Sequence, residues 1–494
     1  MNNKKNVISA LVLQLVTMLQ GLILPRLILL NFGSEINGLV NSITQFLSFV
    51  SLLEGGLGAV VLSELYSPIS RGDENRTREI LSACQTFFYR LSLTFLVYTI
   101  VIAIIYPCFI VHQYSFAFTS SLVLVLSLIT LAQYMFSITY RLYLQADQRL
   151  YIVNIISIIT ILVNTVSAVV VMRVFPHIHA VKLCSGVIYL LQPIAFQHYV
   201  EKKYRLPVGF HVKGSTSILK NRWSGFLHNL AHFVNRNIDI VILTLFSSLS
   251  SVSVYTVYML AISALRGIIS NVGNSYQAAI GKYVAEGDTV ILREKFERFE
   301  SVFWFIGVTL FSTCLLLINS FVGVYTAQIN DADYFQPVFG AIIVLANLVY
   351  VIREPYRLLI LAAGKFKETN FGAIAEVVIN IVISVSLVWK YGLIGVAVGT
   401  LAAILFRLIY FMWFLKRDIL FRGYRTYFTH ILCAAVVVAV DMYIYFKKAF
   451  IVTNVIPFCV AGCALVAGNA LLYAAVYYAI RLISKGNRRG EIRE

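Results

Sequence analysis

The chain has 494 residues, of which 59% are apolar and only 13% charged, with a mean hydropathy of +0.81 and a formal charge of +17. A soluble domain carries about 25% charged residues, and no compact sphere hides so much apolar surface, so a water-soluble enzyme is excluded, as is a disordered polymer. The basic residues fall between apolar runs with no nucleic-acid-binding constellation beside them, and therefore report topology and contact with anionic headgroups.

After Lys4 and Lys5 the chain runs apolar from Val7 to about Leu30. That is too long for a signal-peptide core, and no small-residue cleavage site follows, so it is expected to be an uncleaved first span. Further apolar runs lie at about 38–62, 84–110, 117–143, 150–172 and 178–200, then 223–247, 251–279, 299–325, 335–362, 371–389, 393–415, 427–446 and 453–480. At about 20 residues per span these make about 14 transmembrane helices. Continuous runs of this length exclude a β-barrel, whose segments alternate. The fold class is an all-α polytopic membrane protein.

With the N-terminus inside, the outer segments hold only Arg173, Lys182, Lys390, Lys447 and Lys448, while most other Lys and Arg fall inside. The bias places both termini in the cytoplasm. The longest hydrophilic insert, about 201–222, also lies inside. With no sizeable outer loop, the function must reside within the helices.

The chain matches itself at an offset of about 215–216 residues. Gly72-Asp73 and Arg78-Glu79 recur as Gly287-Asp288 and Arg293-Glu294, and Gly58 as Gly273. Tyr134, Tyr140-Arg141-Leu142, Ala146, Asn154 and Asn164 recur as Tyr350, Tyr356-Arg357-Leu358, Ala362, Asn370 and Asn380. Chance inflates matches among apolar residues, but these are mostly polar or Gly and in order. Six helices separate equivalent positions, so the copies share one orientation, as in parallel transporter repeats with a midplane site between them. The expected organisation is an N-lobe (1–205), a cytoplasmic linker (206–222), a C-lobe (223–418), and two further helices with a basic tail (419–494).

The stretch Phe32-Gly33-Ser34-Glu35-Ile36-Asn37-Gly38, followed by Leu53-Glu54-Gly55-Gly56-Leu57-Gly58-Ala59, resembles the start of Wzx-like bacterial polysaccharide flippases of the multidrug/oligosaccharidyl-lipid/polysaccharide exporter (MOP) superfamily. Ala362-Ala363-Gly364-Lys365-Phe366-Lys367 and the run from Gly392 to Thr400 resemble their second half. The resemblance implies a MATE-like fold. It also implies translocation of undecaprenyl-pyrophosphate-linked oligosaccharides from the inner to the outer leaflet of the bacterial cytoplasmic membrane. Polysaccharide polymerase and glycosyltransferases are the expected partners.

Ionisable groups at membrane depth cost roughly 2.5–3.5 kcal/mol each on insertion scales, and so should face a wet cavity or a partner. Arg26, Arg90, Arg236, Arg266, Arg353, Arg357 and Arg407 qualify, against Glu54, Asp239, Glu354, Glu376 and Asp441. The arginine excess predicts a cationic cavity suited to pyrophosphate, which guanidinium grips bidentately. Arg357, near a helix end, is read as snorkelling. Arg353 adjoins Glu354 and Pro355, leaving a local ion pair as its alternative; Arg90 and Arg407 are open between cavity and interface. Arg26, Arg236 and Arg266 lie deepest. Arg26 and Arg266 fall on the first and eighth helices, which in the superfamily line the groove between lobes. Glu54 with Gly55, Gly56 and Gly58 is either a hinge or plain packing. Gly395-x-x-x-Gly399 reads as a structural helix contact.

Glu376, Asn380 and Ser384 are spaced i, i+4, i+8 and form one polar stripe; the first-half counterparts are Thr160, Asn164 and Ala168. The simplest reading of Asp239 is an ion pair with Arg236 on one helix face. Resemblance to the lipid II flippases of the superfamily implies instead a coupling-ion site at Asp239, Asn380, Ser384 and Thr400, with Glu376 beside it. Ser384 departs from the carboxylate expected there. Na⁺ or H⁺ is the implied ion, and no other cofactor is. His228 and His232 share a face, but Asn229 stands where a zincin has Glu, so polar lining is preferred over metal. The alternatives weighed are a drug/cation antiporter of the same fold, disfavoured by the arginines, and a polytopic polymerase or glycosyltransferase, disfavoured by the short outer loops.

Overall fold

The computed structural model describes residues 3–54, 57–110, 114–204, 226–365, 367–447, 452 and 454–490, and every element within them is helical. Gly55, Gly56 and the expected linker 206–222 lie outside the described residues. Helix α1 (Asn3–Ser48) contains the first apolar run and the start of the second and is broken at Gly33, whose φ of 81° is strained for any residue with a Cβ. A 3₁₀ segment, Phe49–Glu54, interrupts the second run before α2 (Leu57–Arg71). Then follow α3 (Glu74–Phe109), α4 (Phe116–Ala132), a π segment (Gln133–Ser137), α5 (Ile138–Ala146), α6 (Leu150–Val174) and α7 (Ile178–Tyr204). These belong to a first compact unit, Met1–Phe233.

The second unit, Val234–Glu494, begins within α8 (Phe226–Phe246). It continues through α9 (Leu249–Glu286), α10 (Thr289–Tyr325), α11 (Pro337–Ile352), α12 (Glu354–Ala362), α13 (Asn370–Tyr391), α14 (Leu393–Asp418), α15 (Arg425–Phe446) and α16 (Val455–Gly490). Among the described residues twelve stretches are long and apolar enough to cross a membrane; one of them, Lys4–Glu54, holds two spans with a break at Gly33. The apolar part of α8, Asn237–Phe246, is shorter but continues a 21-residue helix. The architecture therefore agrees with about fourteen spans.

The repeat is visible in local structure. Asp73 caps α3 by accepting from the Arg76 N–H at 2.9 Å, directly after Gly72 at φ 69°. Asp288 caps α10 by accepting from Val290 and Ile291 at 2.8 and 3.0 Å, directly after Gly287 at φ 74°. Each Gly takes the left-handed turn between two long helices, and each Asp supplies the acceptor that orphan N–H groups need. The spans holding α4 and α11 both break before a nine-residue helix carrying Tyr-Arg-Leu, at a π segment in one case and at Arg353 in the other. Leu142 lies 3.8 Å from where a Cβ on Gly58 would be, and Leu358 lies 3.3 Å from the equivalent point on Gly273.

In the second unit, α10 is the most buried span, and α9, α11, α15 and α16 all pack on it. Helices α13 and α14 make the closest pair. A Cβ on Gly395 would meet the Leu387 backbone at 2.6 Å, and one on Gly399 would meet the Ser384 backbone N at 2.8 Å. The small-residue motif thus brings two backbones into contact, through van der Waals packing that no larger side chain permits.

A buried polar circuit and an open arginine in the second unit

Backbone contact at Gly399 sets Thr400 of α14 beside the polar stripe of α13. Thr400 Oγ1 lies 2.9 and 2.8 Å from the two carboxylate oxygens of Asp239, which the Tyr255 hydroxyl also approaches at 2.9 Å. The Asn380 side chain reaches Asp239 too and donates to Asn235 Oδ1 at 3.0 Å; Ser384 donates to Asn380 Oδ1 at 2.9 Å. Asn235 in turn donates to Glu376 Oε1 at 2.6 Å. Asn235 and Asp239 form an i, i+4 stripe on α8 facing the Glu376–Asn380–Ser384 stripe on α13. All five residues are at most 9% exposed, and in hydrocarbon such groups persist only when they satisfy one another.

Glu376 also anchors two guanidinium groups. Arg353 donates to its Oε1, and Arg407 Nε lies 3.6 Å from its Oε2. Arg407 reaches this point because α13 carries Gly372 there: a Cβ would collide with its guanidinium and would meet Tyr410 at 2.6 Å. Arg407 further donates to the Thr369 carbonyl at 3.0 Å and stacks on Phe411 at 4.4 Å. Arg353 and Arg407 are 3% and 2% exposed. This corrects the expectation that they offer positive charge to a cavity: a carboxylate one helix away has engaged both. Glu376, expected beside a coupling ion, is the counter-ion of these arginines. The local Arg353–Glu354 pair is not formed either, because Glu354 accepts a two-pronged contact from Arg357, one prong at 2.8 Å. Arg357 is therefore paired rather than snorkelling.

Arg266 is different. It lies half-buried on α9, donates to Asn347 Oδ1 at 3.1 Å and stacks on the Tyr350 ring at 3.9 Å, with no acidic partner among the described residues. It lines a cleft of about 400 Å³ whose walls are partly polar (Tyr255, Ser263, Tyr350, Glu354) and partly apolar (Met259, Leu260, Val351). Tyr350 also stacks with Arg353 on the buried side, at 4.7 Å. A continuous circuit results: from the cleft through Arg266, Tyr350, Arg353, Glu376, Asn235, Asn380 and Asp239, and back to the cleft at Tyr255.

In the first unit, Arg26 follows Pro25 on α1 and is half-buried without an acidic partner among the described residues; Arg90 is exposed on α3. Glu54 ends the 3₁₀ segment within electrostatic reach of Arg141, and its carboxylate lies 3.9 Å from a Cβ on Gly58. The side chains of Arg236, His228 and His232 lie outside the described residues. Asn164, equivalent to Asn380, is also buried, but the first unit has no acid at the position of Glu376.

The chain covers 97% of its length and 99% of the partner's in superposition on the lipid II flippase MurJ in an inward closed conformation, with a TM-score of 0.71 at 14% identity. The fold is that of MurJ and the MATE transporters. An inward-facing MATE multidrug resistance transporter of the MOP superfamily superposes with a TM-score of 0.59 at 13% identity, over 82% of this chain and 94% of that one. A MATE protein in complex with MaL6 gives 0.55 at 14% identity, over 84% and 96%. No family model and no curated protein matches at the sequence level.

The MurJ-like extent includes α15 and α16, since MurJ matches nearly end to end whereas the MATE structures cover less of the chain. Within this MurJ/MATE fold, sequence reasoning missed Asn235, Tyr255 and Tyr350. The i, i+4 spacing of Asn235 and Asp239 was the available signal for the first; Tyr350 was marked only as the repeat counterpart of Tyr134, and nothing in the pattern marks Tyr255. It also missed Glu300 and Arg422, which form a fully buried pair at 2.7 Å, joined by Tyr356. Arg422 was counted as a loop charge because it lies between two spans.

Proposed function

We propose that the chain is a flippase that moves undecaprenyl-pyrophosphate-linked oligosaccharide units from the inner to the outer leaflet of the bacterial cytoplasmic membrane, with both termini in the cytoplasm, for cell-surface polysaccharide synthesis. The observation that carries the reading is Arg266: a guanidinium held in place by Asn347 and Tyr350, with no acidic partner among the described residues, on a cleft large enough for a phosphate-bearing head. The near end-to-end likeness to a lipid II flippase supports the same substrate class. The isoprenoid tail stays in lipid while the head engages Arg266, and alternating access exposes it to the other side; Arg26 of the first unit is a further headgroup candidate. Glycosyltransferases supply the substrate and a polymerase consumes it.

Asp239, with Thr400, Asn380 and Ser384, holds the coupling ion, Na⁺ or H⁺. Their oxygens are hard donors suited to either, and one charge moving down about 100 mV supplies roughly 2.3 kcal/mol. The buried circuit connects this site to Arg266. A cationic-drug antiporter would need a free acid on the cleft, whose one carboxylate, Glu354, is already engaged by Arg357. The test is translocation of a defined lipid-linked oligosaccharide in proteoliposomes. Arg266→Ala and Arg26→Ala should each lower the rate more than tenfold at normal abundance, and retained transport by both overturns the reading. Transport indifferent to Na⁺, pH and membrane potential overturns the ion coupling alone.

A further inference from the structure

A second intramembrane acid lies away from the Asp239 circuit, where α15 and α16 pack on α10. Asp441, about three-quarters of the way along α15, is 2% exposed, and its Oδ2 has no hydrogen-bond partner among the described residues. The groups facing its carboxyl are Ser312 of α10 and Asn469 of α16. The Ser312 hydroxyl is itself buried and unpartnered, and so is that of Thr309 one turn away. Asn469 Nδ2 donates to Thr313 Oγ1 at 3.2 Å, and the same side chain reaches the Asp441 carboxyl.

Two helices, α10 and α16, thus contribute neutral oxygens around one acid on a third, α15. Glu376, Glu300 and the half-buried Glu354 each hold an arginine, whereas Asp441, like Asp239, forms no ion pair among the described residues. The other titratable groups buried along these helices are Glu300, Cys314 and Tyr325 on α10, Tyr427, His430, Cys433 and Tyr445 on α15, and Tyr473 on α16. Glu300 is taken by Arg422, and His430 lies three turns away, bonded to Tyr473 at 3.3 Å. None brings positive charge to Asp441. An uncompensated carboxylate in hydrocarbon is too costly to persist, so a bound positive charge must neutralise it. One negative charge among hydroxyl and amide oxygens balances a monovalent ion and leaves a divalent one in excess.

We propose that the α10–α15–α16 interface is a second monovalent-cation site, with Asp441 supplying the charge and Ser312, Thr313 and Asn469 the neutral oxygens. The occupant is Na⁺ or a proton, and the site is independent of the substrate proposed above.

The test uses the purified full-length chain in nanodiscs, with ²²Na⁺ binding and infrared titration of the carboxyl groups. If Na⁺ is the occupant, Asp441→Asn lowers bound Na⁺ by one per chain, additively with loss at Asp239→Asn. If a proton is the occupant, Na⁺ binding is unchanged, and Asp441→Asn removes one carboxyl band that titrates with pH in the parent. Asp441→Asn that alters neither Na⁺ binding nor any titrating carboxyl band overturns the proposal. Should that variant fail to fold, Ser312→Ala and Asn469→Ala replace it. Each is expected to weaken Na⁺ binding about tenfold, or to move the carboxyl titration by about one pH unit; no change in either overturns it.

Discussion

Glu376→Gln removes the one negative charge that two buried guanidinium groups share, at nearly constant volume. With Arg407 Nε 3.6 Å from the carboxylate and an effective dielectric of about 20, each attraction is about 4–5 kcal/mol. Gln keeps a carbonyl acceptor, so about 1–1.5 kcal/mol of hydrogen bonding survives. The remainder, joined by repulsion between Arg353 and Arg407, gives an expected loss of about 3–5 kcal/mol, as for a buried pair stripped of one partner. That is a large share of the about 5–15 kcal/mol stabilising a typical domain. The triad carries one more positive than negative charge, so the effect is asymmetric. Arg407→Met leaves a neutral Arg353–Glu376 pair and should cost no more than about 1–2 kcal/mol. Equilibrium unfolding of the purified protein in mixed micelles, followed by tryptophan fluorescence, measures both. The triple replacement Glu376→Gln, Arg353→Met, Arg407→Met should recover most of the stability. The reasoning is refuted if Glu376→Gln lies within 1 kcal/mol of the parent, or if Arg407→Met costs as much.

Thr400→Val preserves shape but deletes a donor to a buried carboxylate; about 1.5–3 kcal/mol of interaction is lost, and Na⁺ binding at the Asp239 site should weaken measurably in calorimetry. Gly399→Leu forces α13 and α14 apart where backbones touch, so both stability and the Thr400–Asp239 contact should be lost, read as an early melting transition. Asp73→Ala and Asp288→Ala each remove an N-cap and should lower stability by a similar amount, about 0.5–2 kcal/mol; a large effect of one and none of the other would break the equivalence of the two caps. Arg422→Ala leaves Glu300 buried without its cation and should destabilise by about 3–5 kcal/mol, whereas Arg422→Met with Glu300→Gln should recover most of that loss.

The spans were legible because hydrocarbon imposes one strong rule: every backbone polar group is satisfied within its own helix, so apolar length marks each crossing. The repeat was legible for a related reason, since Gly72 and Gly287 hold left-handed turns and Asp73 and Asp288 hold caps, duties few residues share. The stripe Glu376–Asn380–Ser384 was visible as a spacing; in the structure Thr400 and Asn380 reach Asp239, while Ser384 bonds Asn380. The partners of the arginines were not visible. Arg353, Glu376 and Arg407 are far apart in the chain, and nothing local states which acid a guanidinium will find across a helix pair. Counting charges by span identified an excess of arginines. It could not tell that two of them are held by Glu376 and one by Glu354, while Arg266 is matched by an amide and a phenol ring instead.

The triad also bears on how the chain is made. Its charges emerge from the ribosome in the order positive, negative, positive, and α11 with Arg353 is synthesised before α13 brings Glu376. Each arginine alone resists partitioning into lipid by roughly 2.5–3.5 kcal/mol. Helices α11 to α14 are therefore expected to linger together beside the translocon and leave it as a group, so a stalled nascent chain ending between Arg353 and Glu376 should remain crosslinkable to the insertion machinery while one extended past Arg407 is released.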